Sequence, residues 1–151
     1  MKYYIRFDTE RFLKDSRHWG ELMADLRLEL AAITEIGGAG GGIPSGGEVS
    51  RPTERTAIDR DKILQQMDTI KKYRECFRYA WDRMTEPDQI LLAGFYYSPG
   101  YIYQFVDQWC TENTSNRDYC YKAKREAEER FGAECENWIR LHPGECGRWV
   151  P

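Results

Sequence analysis

Ser98-Pro99-Gly100-Tyr101-Ile102-Tyr103-Gln104-Phe105-Val106-Asp107-Gln108-Trp109-Cys110-Thr111-Glu112-Asn113-Thr114-Ser115-Asn116-Arg117-Asp118-Tyr119-Cys120-Tyr121-Lys122-Ala123-Lys124-Arg125 is the stretch that decides the fold. Ile102, Phe105, Val106 and Trp109 recur at spacings of 3, 1 and 3, which places them on the inner face of one helix. Ser98-Pro99 offers that helix a cap and a first-turn proline. The polar run Thr111-Glu112-Asn113-Thr114 breaks it, and a last helix begins near Ser115 or Asn116 with Cys120, Ala123, Ala127 and Phe131 as its buried stripe. Arg117, Asp118, Tyr121, Lys122 and Arg125 avoid that stripe and project outward. A brace helix, a turn and a helix with an exposed basic face make up the layout of a helix-turn-helix, whose second helix enters the major groove near its N-terminus. From Asn116 to Arg125 four basic residues stand against one acidic residue, a local charge of +3.

Upstream, Thr85-Glu86-Pro87-Asp88 combines a candidate N-cap, an early proline and a carboxylate in the first turn. The helix it opens carries Ile90, Leu91, Leu92, Phe95 and Tyr96 and is expected to end near Tyr97, so residues 85–131 read as a three-helix domain. Ahead of it, Ile63, Met67, Ile70, Phe77, Trp81 and Met84 keep a 4, 3 rhythm with Arg74 at the one missing position. Trp19, Met23, Leu26, Leu30 and Ile33 keep the same rhythm in a helix expected from about Ser16 to Glu35. Such stripes are the a and d positions of a narrow seam, and two of them predict a long helical hairpin that packs on itself or on a second copy. Between them lies GGAGGGIPSGGEVSRP, residues 37–52, with seven of the 13 glycines of the chain. That composition predicts a flexible connector, and without a following Gly-Lys-Ser/Thr it is not read as a phosphate loop. The expected organisation is an N-terminal segment and long helix (1–36), the connector (37–52), a second long helix (53–84), the helix-turn-helix domain (85–131) and a C-terminal extension (132–151). The fold class is all-α.

Of the 151 residues, 31% are charged and 41% hydrophobic, with 22 Lys+Arg against 25 Asp+Glu. A net charge of −3 speaks against a protein that coats nucleic acid through a large positive excess. No apolar run approaches the roughly 20 residues needed to cross a bilayer, and the first residues lack the apolar core of a signal peptide. A soluble, cytoplasmic protein is expected, with no membrane partner. The five cysteines, Cys76, Cys110, Cys120, Cys135 and Cys146, are odd in number and form no C-x-x-C pair, which argues against a disulfide framework. Cys135, His142 and Cys146 with Cys110 or Cys120 are spaced too widely for an ordinary structural zinc site, so no metal and no cofactor are expected. His18 and His142 are the only physiological-pH bases and neither sits in a catalytic motif, so the chain is not read as an enzyme. Tyr96, Tyr97, Tyr101 and Tyr103 flank the Ser98-Pro99-Gly100 turn and are expected to pack between short helices rather than grip single-stranded nucleic acid.

Asn116-Arg117-Asp118-Tyr119-Cys120-Tyr121-Lys122-Ala123-Lys124-Arg125-Glu126-Ala127 resembles the recognition helix of sigma-factor region-four-like phage regulators, which opens with Ser-Arg, carries Val-Tyr-Arg and runs through basic residues to Glu-Ala. Ser50-Arg51-Pro52-Thr53-Glu54 before a second long helix, and Leu91-x-x-x-Phe95-Tyr96-Tyr97 before the motif, are similar to the ArpU/RinA-type late transcription regulators of phages and prophages. The resemblance spans roughly Asp8 to Phe131. It implies a sequence-specific binder of double-stranded DNA, with Asn116, Arg117, Asp118, Tyr121, Lys122 and Arg125 at the DNA face and homo-oligomers or RNA polymerase as further partners. The turn between Trp109 and Asn116 reads as longer than the motif's usual short turn. Residues 132–151 have no counterpart in the family. Two alternatives share the architecture: a small terminase subunit, which packages DNA as a ring, and a polymerase-binding interaction module.

Overall fold

Apolar residues that return every three or four positions are buried on one side only if the backbone is helical. The computed structural model describes residues 7–39 and 50–143, with side chains described at 7–33 and 57–143. The chain is all-helical over these residues, with no strand among them. The helices are α1 (Thr9–Ser16), α2 (Trp19–Ala39), α3 (Ser50–Asp82), α4 (Glu86–Tyr96), α5 (Ile102–Glu112) and α6 (Arg117–Leu141). The middle of the connector, and Cys146 with Trp149, lie outside the described residues. Two compact units divide the chain, one of Met1–Arg17 with Tyr73–Pro151 and the other of His18–Lys72.

In the unit His18–Lys72 the expected stripes are the buried side of each helix. Trp19, Met23, Leu26, Ile63 and Ile70 are buried, and Leu30, Ile33 and Met67 are half-buried. Ala32 and Ile33 of α2 line an open groove of about 430 Å³ with Ile63, Lys62, Asp59 and Gln66 of α3 and with Glu29. Helix claims both ends of the segment expected to be connector, since α2 continues through Gly37 and Gly38 to Ala39 and α3 opens at Ser50. Both ends tolerate these residues for a local reason. Proline fits the first turn of a helix, where its missing N–H has no intrahelical acceptor, as at Pro52. A terminal turn loses less to glycine than an interior one, where each costs about 1 kcal/mol.

The other unit has an aromatic centre. Phe12, fully buried on α1, lies 6.2 Å from the Phe131 ring and 6.5 Å from Phe77, and Phe77 meets Phe131 edge-on at 5.4 Å. Trp81 stacks on Phe77 at 5.5 Å, and Tyr97 meets both rings edge-on. Phe77 and Trp81 therefore serve this cluster, although their spacing continues the seam of Ile63 and Ile70 along the same helix. The N-terminal segment contributes a helix of its own, α1, capped by the Asp8 carboxylate, which accepts from the Arg11 N–H at 3.1 Å.

The last helix also runs further than its sequence stripe. α6 passes Phe131 and continues to Leu141, with Cys135 and Trp138 buried, so the first half of the expected C-terminal extension is core helix. Gly132, the first residue of the expected C-terminal extension, is needed for close approach: a Cβ there would lie 2.3 Å from Thr9 Oγ1. Gly94 on α4 plays the same part against α5, because a Cβ would overlap the Phe105 ring at 2.0 Å. An ion pair buried at its carboxylate end joins α4 to α6. Asp88, 5% exposed, accepts from Arg130 Nε at 2.6 Å and Nη2 at 2.7 Å.

Candidate functional site

The outward side of the α5–α6 pair begins with how the turn is closed. α5 ends at Glu112, within the polar run expected to break it, leaving Asn113, Thr114, Ser115 and Asn116 as the connection. The turn is thus as short as a helix-turn-helix requires, and the long turn expected from sequence is not found. The Ser115 N–H donates to the Cys110 carbonyl at 2.9 Å, and the Asn113 side chain donates to the Trp109 carbonyl at 2.9 Å. The first satisfies a carbonyl that the end of α5 leaves free, and the second adds to the bond that the Asn113 N–H already donates to the Trp109 carbonyl. Thr114 reverses the chain at a φ of 50°, a left-handed conformation that costs a β-branched residue. Thr114→Gly is expected to raise stability by about 0.5–1 kcal/mol, the relief of left-handed strain less glycine's entropic cost. A thermal melt checks this, and a lowered Tm would contradict it.

Asn116 is the N-cap of α6, its side-chain oxygen accepting from the Tyr119 N–H at 2.9 Å. The cap starts the helix, along which Arg117, Asp118, Tyr121, Lys122 and Arg125 all stand exposed. They differ in what they touch. Arg117 Nη2 donates to Asp107 Oδ1 on α5 at 2.9 Å. The Tyr121 ring leans on Phe95 at 5.6 Å and remains 43% exposed. Lys122 and Arg125 make no ion pair with any described residue.

Lys124, counted in the local +3, turns inward. Its ammonium lies 5.0 Å from the Phe95 ring centre, 5.6 Å from that of Tyr96 and 3.4 Å from Glu128 Oε1. Burial, together with the bond it donates to Glu128, holds the Tyr96 hydroxyl protonated far above the ordinary phenol range. Among the described residues, two of the four cations between Asn116 and Arg125 are therefore matched by carboxylates, and the unmatched pair is Lys122 with Arg125. These two lie three positions apart on the face opposite buried Cys120, Ala127 and Phe131.

Sequence spacing did not find Tyr119 or Asp107. Tyr119 is 57% exposed and stacks on Trp109 at 6.3 Å, placing a phenol beside the basic pair. Its signal was available in the helical wheel, since it too avoids the buried stripe.

The start of α5 also departs from expectation. Tyr101 is the N-cap residue, and Gly100, at a φ of 109°, keeps Ser98-Pro99 outside the helix. Ile102 is consequently 50% exposed rather than on the inner face, while Phe105 is half-buried and Val106 and Trp109 are buried. Tyr101 and Tyr103 stack on each other in solvent at 5.5 Å instead of packing between helices. Tyr96 alone among the four flanking tyrosines is buried, and Tyr97 shares a hydrogen bond with Ser16.

No family model, curated protein or solved structure matches the chain. Among the described residues, no group of three or more His, Cys, Asp or Glu side chains is arranged to hold a metal ion. Burial pushes the Cys120 thiol above the usual range, aided by the neighbouring Cys110, which keeps it from being a ready nucleophile. No described helix is long and apolar enough to cross a membrane. What the α5–α6 surface offers is cations and phenols on a rigid helix behind a short turn, a chemistry suited to phosphates and the edges of bases.

Proposed function

We propose that the chain is a sequence-specific, double-stranded DNA-binding transcription regulator. α5, the turn from Asn113 to Asn116 and α6 act as a helix-turn-helix, with α4 completing a three-helix bundle and α6 reading the major groove. One observation carries this reading: Lys122 and Arg125 are exposed and, among the described residues, unmatched by carboxylates on the outward face of a helix that follows a four-residue turn. Arg117, Tyr119 and Tyr121 border them. The similarity of residues 116–127 to the recognition helices of ArpU/RinA-type regulators adds the phage or prophage setting and late-gene activation.

α2 and α3 form a helical hairpin in this proposal, and it associates with a second copy or with RNA polymerase. With only two unmatched cations on the reading face, a single chain binds weakly, and pairing supplies the remaining affinity.

The test is selection by the full chain from a pool of random-sequence duplexes. A recurring motif of a few base pairs is expected after several rounds. Failure to retain duplex DNA, or retention without any enriched sequence, would overturn the proposal. Molar mass in solution separates a regulator from a packaging subunit, since a monomer or dimer is expected and a closed ring of about eight or more subunits favours terminase.

A further inference from the structure

Arg117 and Asp107 meet across the turn, ten positions apart, in a pair whose stability value is small. Arg117 Nη2 lies 2.9 Å from Asp107 Oδ1, and the two side chains are 66% and 55% exposed. Exposed pairs of this kind contribute little to stability. Arg117 also opens α6, where the positive end of the helix dipole disfavours a cation. The pair bears instead on how the guanidinium is presented. Engaged through Nη2, the fork keeps further N–H donors for another partner. A carboxylate beside it repels phosphate oxygens. The N7 and O6 acceptors of a guanine, uncharged and in one plane, are not repelled to the same degree and match two parallel N–H groups.

We infer that Asp107 is a positioning residue that aims Arg117 at a guanine edge and turns it away from the phosphate backbone, so that it raises sequence discrimination at the expense of general affinity. This rests on the DNA-binding reading above and adds to it a residue on the brace helix and the base that it serves.

The experiment compares the full-length wild type with Asp107→Asn, which keeps shape and removes charge, using the unselected random duplex pool and the duplex that the wild type enriches. Asp107→Asn is expected to bind the random pool about threefold or more tightly, with a salt dependence steeper by about one released counterion. Its preference for the enriched duplex is expected to fall about tenfold. Sequences selected by Asp107→Asn are expected to lose a guanine at one position and keep the rest. Asp107→Glu is expected to retain most of the discrimination. In an Arg117→Ala background, Asp107→Asn is expected to change discrimination no further.

Unchanged discrimination in Asp107→Asn, or the same fall with Arg117 absent, overturns the inference and leaves DNA binding standing. A lowered Tm with uniform loss at every base position also overturns it, since that marks a structural role alone. A wild type that does not bind duplex DNA overturns both.

Discussion

A Lys122→Ala/Arg125→Ala protein is expected to bind its selected duplex about 30-fold or more weakly than the wild type while melting at the same temperature. Each side chain is exposed and without an ion-pair partner among the described residues, so its removal leaves no buried group unsatisfied. Surface substitutions of that kind change stability by no more than about 0.5 kcal/mol. The loss of binding follows from two missing cationic contacts, each worth at least about 1 kcal/mol if it reaches a base or a desolvated phosphate. Fluorescence anisotropy on a labelled duplex measures the affinity, and a differential melt measures the stability. Lys124→Ala is the informative contrast. Its ammonium is folded over Phe95 and Tyr96 beside Glu128, so the expected effect is a modest loss of stability and little change in affinity.

The second large effect is structural. Arg130→Met is expected to destabilise the α4–α6 unit by about 2–3 kcal/mol, because it leaves the Asp88 carboxylate buried without its two charged donors. The upper range for breaking a buried pair is reduced here by the Arg130 side chain's 54% exposure, which lets water approach one side. Asp88 also sits in the first turn of α4, where the helix dipole favours a negative charge. For a chain of this size the loss corresponds to a Tm lowered by roughly 4–12 °C. Adding Asp88→Leu to Arg130→Met is expected to recover part of the loss, since the uncompensated charge is then gone. Equal Tm values for the wild type and Arg130→Met would show that the pair contributes nothing.

Helix spacing made the all-α character and much of the burial legible. Trp19, Met23, Leu26, Ile63, Ile70, Val106, Trp109, Cys120, Ala127 and Phe131 lie on the faces that their periodicity assigns. Where one stripe continues past a change of partner, periodicity is silent. Phe77 and Trp81 keep the rhythm of the α3 seam but pack into the aromatic cluster of the other unit.

The extent of α6 was not legible where a glycine's use is tertiary. Gly132 does not end α6, because its missing side chain is where Thr9 fits. The polar run from Thr111 to Thr114 does end α5, whose last residue is Glu112. The break between α1 and α2, at Arg17 and His18, carries neither glycine nor proline and so leaves no local mark.

The outward residues of α6 were legible as a set, since they avoid the buried stripe. Their electrostatics were not. Whether a lysine faces water or lies over two aromatic rings, and whether an arginine is tied to a carboxylate ten positions away, depends on how α4, α5 and α6 are set against one another.

Titration of the isotopically labelled full chain with its selected duplex, followed by amide chemical shifts, locates the DNA directly. The expected perturbations run from Ser115 to Glu126, strongest near Arg117, Lys122 and Arg125, with a weaker set at the start of α5. Perturbations centred on α2 and the first half of α3, or none at saturating duplex, would contradict the assignment of α6 as the DNA-reading helix.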